Sequence, residues 1–261
     1  MIPKIIHYCW FGGNPKPEII ETCIASWRQF CPDWKIIEWN ESNFDIASHP
    51  YTKEAYEVKK WAFVSDVARL EIVNREGGLY MDADVELLAP MDDLVEYDAF
   101  YAFETNLHIN SGMGFGAAAG HSSVKEMLAC YDDRHFIING KPDLSPCPAK
   151  NTDALRKRYP EFQRNGTSQY FDGVRLLSGE EYHAIAFHHG TKSWVDGPVG
   201  THEFKDTKLK RWLRKPEYFD FIENRFGKRA MQVYTFLVYD LLEMGPLFYI
   251  KRLVRKLFSH N

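Results

Sequence analysis

Residues 4–8 form a short apolar run that stops at Gly12-Gly13, and residues 17–30 follow with Ile19, Ile20, Cys23, Ile24 and Trp27 at helical spacing. The pattern predicts a strand, a glycine turn and a helix. Residues 35–39 read as a second strand, and residues 61–76 as a long helix closed by Gly77 and Gly78, which suit a left-handed C-cap. An apolar strand at 79–81 runs into Asp82-Ala83-Asp84, and residues 85–88 continue extended toward Pro90. A strand at 99–103 and a helix at 122–131 complete an alternation that predicts the α/β class, with a largely parallel, doubly wound sheet. Residues 139–173 are punctuated by Gly, Pro, Asn and Asp and hold one short helix near 152–159, so they read as loop-rich. Strands are expected at 174–177 and 184–188, and helices from residue 206 onward.

Composition changes this picture mainly at the C-terminus. A chain of 261 residues, 45% hydrophobic, fits one large α/β domain with appended helices. The net charge of -4 conceals an asymmetry: residues 205–261 hold 13 Lys or Arg against 6 Asp or Glu, a net of +7, which leaves -11 for the remainder. Five cysteines, an odd number without C-x-x-C spacing, indicate neither a disulfide framework nor a zinc ribbon, so a reducing, cytoplasmic location is expected. The apolar stretch at 5–11 has only Lys4 before it and no cleavage site after it, and reads as a strand rather than a signal peptide. No transmembrane helix is expected, because the apolar run at 230–239 is half the roughly 20 residues a span requires.

The candidate chemistry is carboxylate-rich. In an extended segment, side chains two apart share a face, so Asp82 and Asp84 would present two carboxylates together and could hold a hard divalent cation. Asp-x-Asp by itself also describes a solvated turn, but this one follows an apolar strand, and ligands of open α/β sheets bind beyond the carboxyl ends of strands. Upstream, Asp66 and Arg69 share a helical face with Ala62 and Val73. Charges on such a face must be paired or must meet a polar ligand, and an internal salt bridge satisfies the same requirement. His188-His189-Gly190 ends a predicted strand, and neutral imidazole is a good Mn²⁺ ligand. Neighbouring strand residues face opposite ways, so one of the two histidines would ligate, and the sequence does not say which.

Residues 63–69 (Phe-Val-Ser-Asp-Val-Ala-Arg) followed by residues 77–85 (Gly-Gly-Leu-Tyr-Met-Asp-Ala-Asp-Val) resemble the DXD-type glycosyltransferases of family 32, which include bacterial capsular-polysaccharide transferases and yeast mannosyltransferases. The opening residues 2–13, residues 110–116 and the stretch from His188-His189 to Ser193-Trp194 are similar to further segments of that family, in the same order along residues 1–200. The resemblance implies a GT-A type, Rossmann-like nucleotide-binding sheet with additional C-terminal helices. It implies a catalytic domain over 1–204, with a donor-binding half to about residue 120 and an acceptor-side region at about 121–204, then a basic amphipathic region at 205–261. Catalytic roles fall on Asp66, Arg69, Asp82 and Asp84, and metal ligation on Asp82, Asp84 and one of His188 and His189. Donor binding falls on His7, Trp10, Ser65, Asp66, Arg69, Tyr80, Asp82, Asn110, Ser111, Ser193 and Trp194, with Trp10 packing on the nucleotide base.

The implied activity is Mn²⁺- or Mg²⁺-dependent transfer of a hexose or N-acetylhexosamine from a nucleotide sugar, a UDP-sugar in the first instance. Anomeric configuration is retained, and the acceptor is a capsular or surface glycan carried on a lipid. A metal-dependent phosphohydrolase and a non-catalytic carbohydrate- or nucleotide-binding protein are the alternatives; the first would need a second metal set, which the sequence does not display. Lys251, Arg252, Arg255 and Lys256 lie among apolar helical positions interrupted by Gly245-Pro246, so peripheral contact with the inner face of a membrane is expected, and no nucleic-acid partner.

Overall fold

The structure, a computed structural model, describes residues 1–104, 108–190 and 225–226. The chain divides into two units, Met1–Val199 and Gly200–Asn261. The first unit holds the sheet and the helices around it; the predicted tail helices, Ser193 and Trp194 lie outside the described residues.

The unit contains strands β1 (Ile5–Cys9), β2 (Lys35–Trp39), β3 (Gly78–Tyr80), β4 (Val85–Leu87), β5 (Ala99–Ala102), β6 (Phe115–Ala117), β7 (Ile137–Ile138), β8 (Lys141–Pro142), β9 (Gln169–Phe171), β10 (Val174–Leu177) and β11 (Ala186–His188). Its helices are α1 (Glu18–Phe30), α2 (Pro50–Glu57), α3 (Trp61–Glu76), α4 (Ser122–Ala129), α5 (Cys147–Arg158) and α6 (Gly179–His183). Among the described residues, no helix is long and apolar enough to cross a membrane.

Seven strands form one sheet in the order β2-β1-β3-β6-β5-β10-β9. Its α/β class is the one expected, but its strand directions are mixed. The pairs β1–β2, β1–β3 and β5–β10 are parallel, whereas β3–β6, β5–β6 and β9–β10 are antiparallel. The largely parallel sheet expected from the sequence is therefore corrected. The reason lies in β6, three residues around Gly116 that carry no readable alternation. Gly116 pairs with both Leu79 and Phe100, and a Cβ there would come within 2.6 Å of the Phe100 ring. The close approach that inserts β6 into the sheet is the same feature that hides it from hydrophobic periodicity.

Alternation along the strands sorts the core into two layers. Ile6, Tyr8, Leu79, Phe100 and Ala102 pack with Ile20, Ile24 and Trp27 of α1, while Tyr80, Tyr101 and Phe115 pack with residues of α2, α3, α4 and α5. Helix α1 presents Ile20, Cys23, Ile24 and Trp27 to the interior at the predicted spacing, with Glu18 and Glu21 in its first turn, where the helix dipole favours acids. Helix α3 ends at the expected glycine but without the left-handed α cap: Gly77, at φ 68° and ψ -171°, a region open essentially to glycine alone, donates its N–H to the carbonyl of Val73. The strands β4 and β11 form a separate two-stranded ribbon. It is tied to α1 where the Trp27 indole donates to the Val85 carbonyl at 2.7 Å and the Leu87 N–H donates to Ser26 Oγ at 2.9 Å.

Candidate functional site

Strand β3 leaves the sheet with the Met81 N–H donated to the His7 carbonyl, and the chain then turns. Asp82 and Asp84 stand in a turn closed by Val85 N–H to Asp82 O at 3.0 Å, not in the extended segment that side-chain alternation assumed. Their carboxylates still converge, because the turn is brought against β11. Ligand atoms of Asp82, Asp84 and His188 lie within 4.8 Å of one another. His188 Nε2 is 3.2 Å from Asp84 Oδ1, and His188 pairs with Val85 across the β4–β11 ribbon. Burial opposes a charge on His188, but Asp84, reinforced by Asp82 and Glu104, raises its pKa to about 9. The two carboxylates thus make the pocket strongly negative, and a bound cation would take the place of the His188 proton. Two carboxylates and an imidazole are a donor set suited to Mn²⁺, so the residues present fit a divalent cation.

The choice between the two histidines is geometric. His188 faces Asp84, whereas His189 Nε2 lies 2.9 Å from Glu86 Oε2 and its N–H donates to the Asp84 carbonyl.

Arg69 organises the other half of the site. Its Nη2 is 3.1 Å from Asp66 Oδ1 and 3.3 Å from Asp82 Oδ1, its Nε donates to the Ser65 carbonyl, and its Nη1 donates to Ser111 Oγ at 3.3 Å. The guanidinium also lies 5.1 Å from the centre of the Tyr80 ring. Burial works against its charge, and Asp82, Tyr80 and Asp66 together hold it well on the protonated side. The ion pair anticipated on α3 is thus present, and it reaches beyond the helix to the DXD turn. The Tyr80 hydroxyl donates to Asp82 Oδ1 at 2.9 Å, so the buried Tyr80 acts by orienting a carboxylate. The N–H of Asp82 donates to the Gly112 carbonyl at 2.9 Å, and a Cβ on Gly112 would fall against Asp82 Oδ2. Only glycine lets that loop close on the turn.

Ser111 is buried beside Arg69, and Asn110 uses its Oδ1 to accept from the Gly112 N–H at 2.8 Å. Trp10 is half-buried; its indole N–H is taken by the Asn14 carbonyl at 2.7 Å, and Lys16 Nζ stands over its ring, 5.8 Å from the centre. Ser65 contributes its carbonyl to Arg69 while its hydroxyl donates to the Trp61 carbonyl. His7 is different. It is fully buried, accepts from the Trp39 indole at Nδ1 and donates from Nε2 to the Gly77 carbonyl. Burial lowers its pKa, both ring nitrogens are occupied, and the neutral ring braces β1 against β2 and the end of α3. It has no surface to offer a donor.

Two further residues join the site that the sequence did not reveal. Asn151 donates from Nδ2 to Ser111 Oγ at 2.8 Å, and the Cys147 thiol lies 3.9 Å from Arg69 Nη1. Both belong to α5, which starts five residues before its predicted position. Burial raises the Cys147 thiol beyond its ordinary range. A single polar residue in a loop-rich stretch carries no periodic signal, so neither could be found before the fold was known.

Comparison with known proteins finds a match over the segment that carries the turn. The family described as "Glycosyltransferase sugar-binding region containing DXD motif" matches residues 17–101, which include α3, β3 and the Asp82–Asp84 turn. Inositol phosphoceramide mannosyltransferase 1 of Schizosaccharomyces pombe is 28% identical over 149 residues, 52% of this chain and 45% of that protein. Mannosyl phosphorylinositol ceramide synthase SUR1 of Saccharomyces cerevisiae is 26% identical over 210 residues, 74% of this chain and 52% of that one. The chain thus spans about half the length of these curated relatives. Among solved structures, the PaToxG glycosyltransferase is similar at a TM-score of 0.49 and 16% identity, over 61% of this chain and 70% of that one. Through residues 17–101 and the Asp82-Ala83-Asp84 turn they contain, the chain is similar to glycosyltransferases with a DXD-containing sugar-binding region.

Proposed function

We propose that this protein is a glycosyltransferase of GT-A type that moves a hexosyl unit from a nucleotide sugar to a glycan or glycolipid hydroxyl with the help of a divalent cation. The observation that supports it most is the convergence of Asp82, Asp84 and His188 next to the Asp66–Arg69 pair, within a sequence that matches a DXD family. Asp84 and His188 would hold the cation, with Asp82 beside it, and a bound cation would neutralise charge developing on the diphosphate leaving group. Arg69 keeps Asp66 and Asp82 at fixed positions from which they can accept hydrogen bonds from sugar or ribose hydroxyls. Trp10 stacks on the base.

Retention of configuration, a UDP-linked donor and a surface-polysaccharide acceptor are the finer parts of the proposal. The mannosyl transfer named for the yeast relatives makes mannose the competing donor sugar. The experiment is release of nucleoside diphosphate from UDP-hexoses, UDP-N-acetylhexosamines and GDP-mannose, with Mn²⁺ or excess chelator, and with or without acceptor. Release that needs both Mn²⁺ and one donor is expected. Full turnover in chelator removes the metal from the proposal, and indiscriminate cleavage of phosphoanhydrides without acceptor turns it toward a phosphohydrolase.

We also propose that the basic tail at 205–261 attaches the protein to an anionic membrane surface, supported by its +7 charge beside apolar helical positions. Full-length protein should co-sediment with anionic liposomes at low salt, and a truncation ending at Gly245 should do so less. Equal binding by both would refute the tail's role.

A further inference from the structure

The groups that converge on Asp84 come from two stretches of chain, the turn after β3 and the end of β11, and β11 is not part of the main sheet. Its pairing with β4 covers three residues. Some other contact must help set where His188 stands relative to Asp82. Tyr182 of α6 is fully buried and donates its hydroxyl to the Met113 carbonyl at 2.7 Å. Met113 directly follows Gly112, whose carbonyl holds the Asp82 N–H. The loop cannot slide freely between these contacts, since a Cβ on Gly112 would strike Asp82 and a Cβ on Gly114 would strike the Tyr182 hydroxyl. Three residues beyond Tyr182, the Ile185 carbonyl accepts from Leu88 at 2.7 Å and Ala89 at 3.2 Å, and β11 begins with Ala186. One phenol therefore links the loop that grips Asp82 to the helix that delivers His188.

We infer that Tyr182 is a positioning residue that sets the separation between the Asp82–Asp84 turn and His188, and through it the affinity of the site for a divalent cation. The inference rests on the metal site proposed above. Ligands that wander in the empty protein must be ordered on binding, and the apparent dissociation constant rises as the competent fraction falls. Burial raises the Tyr182 pKa, so the hydroxyl remains a proton donor across the working pH range. Tyr182→Phe removes that donor and keeps the ring that fills the core.

The test measures Mn²⁺ binding to full-length protein from the electron paramagnetic resonance signal of free Mn²⁺, together with thermal melting. Y182F is expected to bind Mn²⁺ about fivefold more weakly than wild type, the size of one net hydrogen bond. Its turnover at saturating Mn²⁺ should stay within about twofold. The control, Tyr101→Phe, removes another buried phenol contact, Tyr101 to Ser123 Oγ at 2.6 Å, away from the site. Y101F should melt earlier with no change in Mn²⁺ affinity. Unchanged affinity in Y182F overturns the inference, and so does an equal loss in Y101F, which would reduce the effect to general destabilisation. Wild-type protein that binds no Mn²⁺ overturns the metal site itself.

Discussion

Asp84→Asn should lower transfer by about 10² to 10³ while leaving a folded protein, because the change keeps the shape of the side chain and removes the charge that holds the cation and pairs with His188. Alanine is a harsher probe. Asp84 is 8% exposed, so truncation opens a gap as well as deleting a charge. The companion substitutions divide the two histidines. His188→Ala should approach the Asp84→Asn defect, whereas His189→Ala, which loses a contact with Glu86, should be mild. Nucleoside diphosphate release at fixed donor, with melting curves for each variant, measures both. More than about a tenth of wild-type turnover in folded D84N, or equal defects at the two histidines, would refute the ligand assignment.

Arg69→Met should be the most destabilising single substitution in the site. Arg69 is 3% exposed and Asp66 7%, and removing one partner of a buried pair leaves the other charge without compensation, at a cost of about 3–5 kcal/mol. Against a typical total stability of about 5–15 kcal/mol, that is a large fraction. Burial already pushes the Asp66 carboxyl up against the pull of Arg69, so without Arg69 it should take up a proton more readily. Arg69→Lys retains a charge but cannot reach Ser65, Asp66, Asp82 and Ser111 at once, so it should recover part of the stability and little of the turnover. The double variant Arg69→Met with Asp66→Asn should regain stability relative to Arg69→Met alone, and remain inactive. Urea unfolding at neutral pH reads these differences. A loss below about 1 kcal/mol for Arg69→Met would mean that the pair is solvated like a surface bridge.

Much of this protein is written locally. Helices α1 and α3, strands β1, β2 and β10 and the glycine stop after Glu76 follow from apolar spacing and chain punctuation, both of which act within a few residues. The ordered run from Ser65 to Asp84 likewise marks the chemistry, because a helix end, an apolar strand and an acidic turn are contiguous in the chain. What contiguity cannot convey is which remote group completes each partial site. His7 reads like a donor contact in sequence, yet pairing of β1 with β2 and β3 encloses it.

Residue type and spacing by themselves determined the α/β class, the helix that carries Asp66 and Arg69 together, and the carboxylate pair at 82 and 84. Tertiary structure decided the rest: the antiparallel insertion of β6, the approach of His188 rather than His189 to the Asp84 carboxylate, and the arrival of Asn151, Cys147 and Tyr182 nearby. The physical reason is range. Periodicity and capping are energies between neighbours in the chain, whereas a convergent carboxylate–histidine cluster and a buried ion network are contacts between groups far apart in it, more than a hundred residues for Asp84 and His188, and these exist only once the layers have packed.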